Sequence, residues 1–200
     1  MNYPIELEKL IGYYKKLPGI GEKSAERLAL ATLEFNEEEI EEFSETLLNA
    51  KKKLVRCNIC GHITNEDICN ICKDETRDKN LICVLEDFKS VFSFEKSGKF
   101  GGTYHVLNGL ISPVDDIGPE EINLASLIKR VDELEKPELI LALKPTIEGE
   151  ATTLYIKKIM ENKQVTISRL SYGIPIGAEI DYLDNVTIGK ALEDRKKISE

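Results

Sequence analysis

Residues 57–72 read CNICGHITNEDICNIC: two Cys-x-x-Cys pairs, Cys57 with Cys60 and Cys69 with Cys72, separated by eight residues. Two thiolates spaced this way in a tight turn reach one metal ion, and two such turns complete a tetrahedron with no position left for water. The pattern predicts one structural zinc ion per chain, held by Cys57, Cys60, Cys69 and Cys72. Disulfides would need an oxidising compartment, and redox pairs rarely come in duplicate on so short a loop. A closed four-thiolate site lets about 20 residues hold a shape without a core of their own. Gly61 suits a tight knuckle after the second thiolate, whereas Lys73 takes the matching place in the second pair and predicts a less regular turn there. His62, beside the site, is expected to face solvent rather than act as a fifth ligand.

The cysteine segment divides two different patterns. On its N-terminal side Leu7, Leu10, Ile11 and Tyr14 form one helical stripe, which stops at Leu17-Pro18-Gly19-Ile20-Gly21. A second helix begins near Glu22 or Lys23 and repeats the spacing with Ala25, Leu28, Ala29 and Thr32. A third starts at Asn36, an N-cap with Glu39 three residues later, and is expected to turn Ile40, Phe43, Leu47, Ala50 and Leu54 inward. Glu37 to Glu39 in its first turn and Lys51 to Lys53 in its last match the helix dipole. That match accounts for the lysine run without a nucleic-acid contact.

On the C-terminal side strands alternate with helices, which indicates an α/β fold with a mostly parallel sheet. Strands are expected at Leu81–Leu85, Thr103–Leu107, Leu139–Leu143 and Val165–Ser168, and helices at Pro119–Leu134 and Glu150–Met160. Cys83, inside an apolar run, reads as a buried strand residue. Ligands of such sheets gather at the carboxyl ends of the strands. Glu86 falls there after the first strand, and Glu148 and Glu150 fall there after the third.

The 200 residues are 42% hydrophobic and 32% charged, the balance of a chain that folds into one domain with attachments or two small ones. No apolar run spans a bilayer and the first residues lack a signal-peptide pattern, so a cytoplasmic protein without a membrane partner is expected. The net charge of −9 argues against a polyanionic partner. Charge is uneven, however: Lys9 to Arg27 holds five basic and two acidic residues, and Glu34 to Glu45 seven acids and no base. A local basic face on an acidic protein is compatible with that distribution.

Pro18-Gly19-Ile20-Gly21 between two short helices resembles the helix-hairpin-helix motif. Gly19 and Gly21 would let backbone N–H groups approach a phosphate, and Lys23 and Arg27, one helical turn apart, would face the same strand. An ordinary helix connection explains the turn equally well. Gly21-Glu22-Lys23-Ser24 echoes a nucleotide-binding P-loop but has Glu22 where that motif needs glycine. Glu86 after one strand, followed by Leu141-Ala142-Leu143-Lys144-Pro145-Thr146-Ile147-Glu148-Gly149-Glu150, resembles a Toprim domain. Catalytic Toprim members hold magnesium with two aspartates ahead of Glu-Gly-Glu, and here Lys144 and Thr146 stand at those positions. The three glutamates serve equally well as caps of strand ends and a helix N-terminus.

These motifs in this order, with the tail Gly173-Ile174-Pro175-Ile176-Gly177-Ala178-Glu179-Ile180-Asp181-Tyr182-Leu183-Asp184, resemble the bacterial RecR family over the whole chain. Lys144 and Ser171 depart from the asparagine and alanine usual there. The resemblance implies a helix-hairpin-helix region at 1–54, a four-cysteine zinc finger at 55–79, a Toprim domain at 80–172 and a C-terminal assembly tail at 173–200. It implies a non-catalytic recombination mediator, a ring-like homotetramer around DNA that works with RecO and RecF to help load RecA on single-stranded DNA. Lys23 and Arg27, with Gly19 and Gly21, are then the DNA contacts; Glu86, Glu148 and Glu150 are candidates for the RecO contact; Asp181 and Asp184 are structural or interfacial. Two rivals compete with it: a metal-dependent Toprim nuclease or topoisomerase, and a zinc-stabilised adaptor that never touches DNA.

Overall fold

The apolar run Leu81–Leu85 becomes the inner part of a central strand, because residues alternating along it face two separate cores. The structure is a computed structural model that describes residues 3–171 and 173–197. The expected boundary at residue 172 and the outermost residues 1, 2 and 198–200 lie outside the described residues. The chain divides into two compact units, Met1–Leu54 and Val55–Glu200.

In the first unit α1 (Ile5–Lys15) and α2 (Glu22–Thr32) form a hairpin around Ile11, Ala25 and Ala29, with Leu7, Leu10, Tyr14 and Ile20 packed against them. The small alanines let the helices approach closely, and Tyr14 Oη meets Thr32 Oγ1 at 2.6 Å across the pair. The third helix, α3 (Glu37–Lys53), starts at the anticipated capping box: the Glu39 amide donates to Asn36 Oδ1, and the Asn36 amide donates to Glu39 Oε2. Its apolar face is not inward. Phe43, Leu47, Ala50 and Leu54 are exposed, Ile40 is half-buried, and α3 has no buried residue. The α3 helix packs little against the hairpin, and the elements border an open apolar groove of about 830 Å³ lined by Leu10, Tyr13, Phe35, Ile40, Phe43 and Leu47.

The second unit opens with the small antiparallel pair β1 (Val55–Arg56) and β2 (Ile63–Thr64), followed by the single turn α4 (Asn70–Lys73). Then come β3 (Asp78–Leu85), α5 (Phe88–Ser97), β4 (Gly102–Val106), α6 (Leu124–Asp132), β5 (Glu138–Ala142), α7 (Ile147–Ile159), β6 (Thr166–Arg169) and α8 (Asn185–Glu193). The last four strands pair in parallel in the order β4-β3-β5-β6. Ile82 and Val84 point to one face with Leu139, Leu141, Leu127, Val131, Ile156 and Met160. Cys83 and Leu85 point to the other, with Val91, Tyr104 and Val106. A parallel sheet needs cover on both sides, which is why β3 reads as an unbroken apolar run rather than an alternating one.

The expected strands are present with ends shifted by a few residues. The Pro119 segment makes turns before α6 begins at Leu124, and α7 begins at Ile147 rather than Glu150 because Thr146 caps it through the Gly149 amide. Sequence reasoning missed α5, whose signals were the Asp87 N-cap, Phe88, Val91 and Phe92 at helical spacing, and Gly98 in the left-handed region at its end. It also missed α8, capped by Asp184, which accepts from the Val186 and Thr187 amides.

Candidate metal centre and nucleic-acid interface

The four cysteine sulfurs lie within 4.8 Å of one another. A regular tetrahedron with zinc–sulfur bonds of ~2.3 Å has edges of about 3.8 Å, and Cys60 Sγ sits 3.6 Å from Cys69 Sγ. Cys57, Cys60 and Cys69 are buried and Cys72 is half-buried. The first pair forms a glycine knuckle: the Gly61 amide donates to Cys57 O at 2.9 Å, and Gly61 takes a φ of +73°. A Cβ there would lie 2.9 Å from Val106 O, so the residue is needed for close approach as well as for conformation. The second pair instead turns as α4, with Cys69 at its N-cap and the Lys73 amide donating to Cys69 O at 3.0 Å. The Val106 amide donates to Cys60 O at 2.7 Å, which seats the first knuckle on the end of β4.

Crowding sets the sulfurs against one another. The Cys69 thiol is held far below its usual range by hydrogen bonds from Cys60 and Cys72, while the bonds that Cys60 makes with Cys69 and Cys72, with burial, push Cys60 up. A divalent cation removes that conflict, since each thiolate then has a positive partner. The donor set, soft and closed, suits zinc.

His62 departs from expectation. It is buried, its ring meets Phe92 edge-on at 5.0 Å, and its Nδ1 has no partner among the described residues. Together with Arg56 over the Phe88 ring at 4.5 Å, it fastens the finger to α5. Cys83 is buried as expected, and burial pushes its thiol up to about 12.

In the hairpin, Gly19 adopts φ +78° and Gly21 is the extended N-cap of α2, with no side chain capping the helix. Among the described residues no side chain caps the first-turn N–H groups of α2, the turn that carries Lys23 and leads to Arg27. Both are exposed, lie on one face, and form no ion pair among the described residues. Glu22, between them and α1, is engaged with Lys15 at 3.5 Å.

At the carboxyl ends of the parallel strands, Glu86 directly follows β3, and Glu148 and Glu150 lie in the first turn of α7. The structure does not gather the three. Lys144 Nζ donates to Glu86 Oε1 at 2.8 Å, and Glu150 is taken by Arg169 at 3.2 Å and Lys190 at 3.8 Å. Glu148 is held below the usual carboxylate range by a hydrogen bond with Thr146. Among the described residues, only the four cysteines form a group of three or more metal-ligating side chains. Sequence reasoning did not foresee Arg169 and Lys190, because their approach depends on where β6 and α8 end up.

The chain matches four family models in succession. These are the RecR helix-hairpin-helix over residues 7–51, the RecR four-cysteine zinc finger domain over 54–74, the Toprim domain over 80–171 and the RecR C-terminal model over 173–196. The chain belongs to the RecR family. RecR membership carries a role in recombinational repair and points to a mediator rather than a catalyst. Cys57, Cys60, Cys69 and Cys72 hold its structural zinc. Among the described residues no helix is long and apolar enough to cross a membrane.

Proposed function

We propose that this RecR chain is a non-catalytic, sequence-independent DNA-binding mediator whose contact surface is the start of α2. The observation that carries this reading is the pair of exposed cations Lys23 and Arg27, without ion pairs among the described residues, beside uncapped N–H groups at the Gly19–Gly21 turn. Phosphate oxygens match that arrangement, and such contacts position a strand without reading bases.

The finer reading follows the family: a cytoplasmic, ring-like homotetramer that works with RecO and RecF to help load RecA onto single-stranded DNA. The exposed apolar face of α3 supports self-assembly, since contiguous apolar surface of that kind ordinarily marks an interface. Residues 1–54 would then serve DNA contact, 55–79 the zinc finger, 80–172 partner contact and 173–200 assembly. For the RecO contact through Glu86, Glu148 and Glu150, Glu148 is the member without an ion pair among the described residues and so the most available to a basic partner. A metal-dependent nuclease or topoisomerase would need two aspartates where Lys144 and Thr146 stand.

Titration of zinc-loaded protein with a fluorescent single-stranded oligonucleotide at several salt concentrations tests the proposal. Replacing Lys23 and Arg27 by alanine should weaken binding uniformly across sequences and lower the salt slope by about 1.4 on single strands, or about 1.8 on duplex. An unchanged affinity and slope would leave the adaptor reading standing.

A further inference from the structure

A divalent ion bound by four thiolates leaves two net negative charges, and three of the four cysteines here are buried. Buried charge is costly unless cations or N–H donors compensate it. Within the finger, the Cys69 amide donates to Cys57 Sγ at 3.3 Å, and the His62 and Cys72 amides donate to Cys60 and Cys69. Amide dipoles soften two net charges but supply no full positive charge against them.

Arg130, on α6, lies on the other side of the finger's contact with the sheet. Its Nη1 donates to Tyr104 O at 2.7 Å and its Nη2 to Thr103 Oγ1 at 2.6 Å. Both acceptors are neutral, and the guanidinium forms no ion pair among the described residues. Arginine stays charged in proteins, so a positive charge is anchored here with no carboxylate to receive it. Burial works against that charge, and Cys72, Cys60, Cys57 and Cys69 work in its favour. Cys72 and Ile59 of the finger share a cavity of about 300 Å³ with Arg130, Lys79 and Glu133. Glu133 is exposed and unpaired with Arg130. Lys79 Nζ donates to Cys72 O at 3.0 Å and to Asp74 O, so a second cation is tied to the backbone of the fourth ligand.

We propose that Arg130, assisted by Lys79, is the counter-charge of the zinc–thiolate centre: a positioning residue contributed by the sheet domain that makes zinc retention in the finger depend on docking against α6 and β4. The dependence is reciprocal, because zinc loss leaves a guanidinium without its negative partner. Outer-shell partners of this kind typically alter metal affinity 10- to 100-fold.

The test uses the full zinc-loaded chain with Arg130→Gln, Arg130→Lys and Lys79→Gln. Zinc affinity is read by competition with a chromogenic chelator, and release rate after addition of a thiol-alkylating reagent. Arg130→Gln should lower zinc affinity roughly tenfold or more and speed release, with Arg130→Lys recovering most of the loss because it keeps the charge while losing the two-pronged hydrogen bonding. If Arg130→Gln retains wild-type zinc affinity and release rate while its melting temperature falls, the residue only packs and the proposal is overturned. Equal losses in the Gln and Lys variants overturn it too, since hydrogen bonding would then be the whole effect. Should Arg130→Gln fail to fold, Lys79→Gln decides: weaker zinc retention supports the counter-charge, and unchanged retention removes it.

Discussion

The ammonium of Lys144, two residues past β5, lies 2.8 Å from Oε1 of Glu86, the residue that follows β3. Leu85 and Ala142 are in register on neighbouring parallel strands, so the strand ends bring the two side chains to one place. The contact holds the Lys144 ammonium above its ordinary pKa. A positive charge therefore stands where a divalent cation would need anionic oxygens, and the Thr146 hydroxyl is occupied in capping α7. Neither magnesium nor manganese should support cleavage of single-stranded or supercoiled DNA, and Lys144→Ala should not create it. Magnesium-dependent cleavage that disappears in Glu86→Gln would restore the nuclease reading.

Gly149, between the glutamates, is fixed by contact rather than conformation. A Cβ there would lie 1.9 Å from Lys144 O, a backbone atom that cannot swing aside. Gly149→Ala must displace the turn that carries Lys144 and Thr146, at a cost of about 1–3 kcal/mol or more. Gly189, inside α8, has open space where a Cβ would stand, with nothing within 4 Å. Gly189→Ala should instead stabilise by roughly 0.4–1 kcal/mol through the unfolded chain. Urea denaturation of the two variants measures the contrast.

Zinc removal should act on stability before it acts on DNA. Cys57→Ser or Cys72→Ser is expected to drop bound zinc below one per chain by elemental analysis, lower the melting temperature and impair assembly, with DNA affinity falling as a consequence. Chelation of the wild-type protein should reproduce the melting change. A stable, fully assembled variant that had lost only DNA binding would contradict this order of events.

His105 makes stability depend on acid. Burial holds its imidazole down at about 4, although Nε2 donates to Asn123 O at 2.8 Å, which works the other way. The unfolded chain titrates near 6.5, so between about 6.5 and 4 it binds the proton that the folded chain refuses. The stabilisation is fully present above pH 6.5 and is lost as pH falls toward 4, at up to about 1.4 kcal/mol per pH unit and about 3 kcal/mol in all. Urea unfolding of wild type and His105→Gln across that window should give a shallower fall for the variant. Acid release of zinc is common to both, so their difference isolates the histidine, and parallel curves would exclude its part.

The outward face of α3 is the surface proposed to join copies of the chain. Phe43 and Leu47 are 40% and 57% exposed, so Phe43→Glu with Leu47→Glu should change chain stability by no more than about 0.5 kcal/mol each. Light scattering should nevertheless report a smaller particle, because the charges would sit in the apolar groove proposed to join copies. An unchanged mass would move the interface elsewhere.

Much of the chain was legible because its signals are local. Cysteine spacing, the Asn36 capping box and the apolar run around Cys83 depend on residues within a turn or a strand of one another, and each formed as read. The same locality explains the errors. Periodicity identified an apolar stripe on α3 but not what covers it, and adjacency to the cysteines said nothing of the Phe92 ring that buries His62. The α5 helix, capped by Asp87 directly after the strand-end Glu86, was not among the expected helices.

By itself the sequence determined a four-thiolate zinc centre, a helical start and a parallel α/β sheet, since spacing and period are properties of the chain alone. Tertiary structure alone decided that Lys144 neutralises Glu86, that Arg169 and Lys190 close on Glu150, and that Arg130, without a carboxylate partner among the described residues, shares a cavity with the ligand Cys72. Each of these pairings joins residues 19 or more apart in the chain, and a charge interaction is set by distance in space, which the order of residues does not specify.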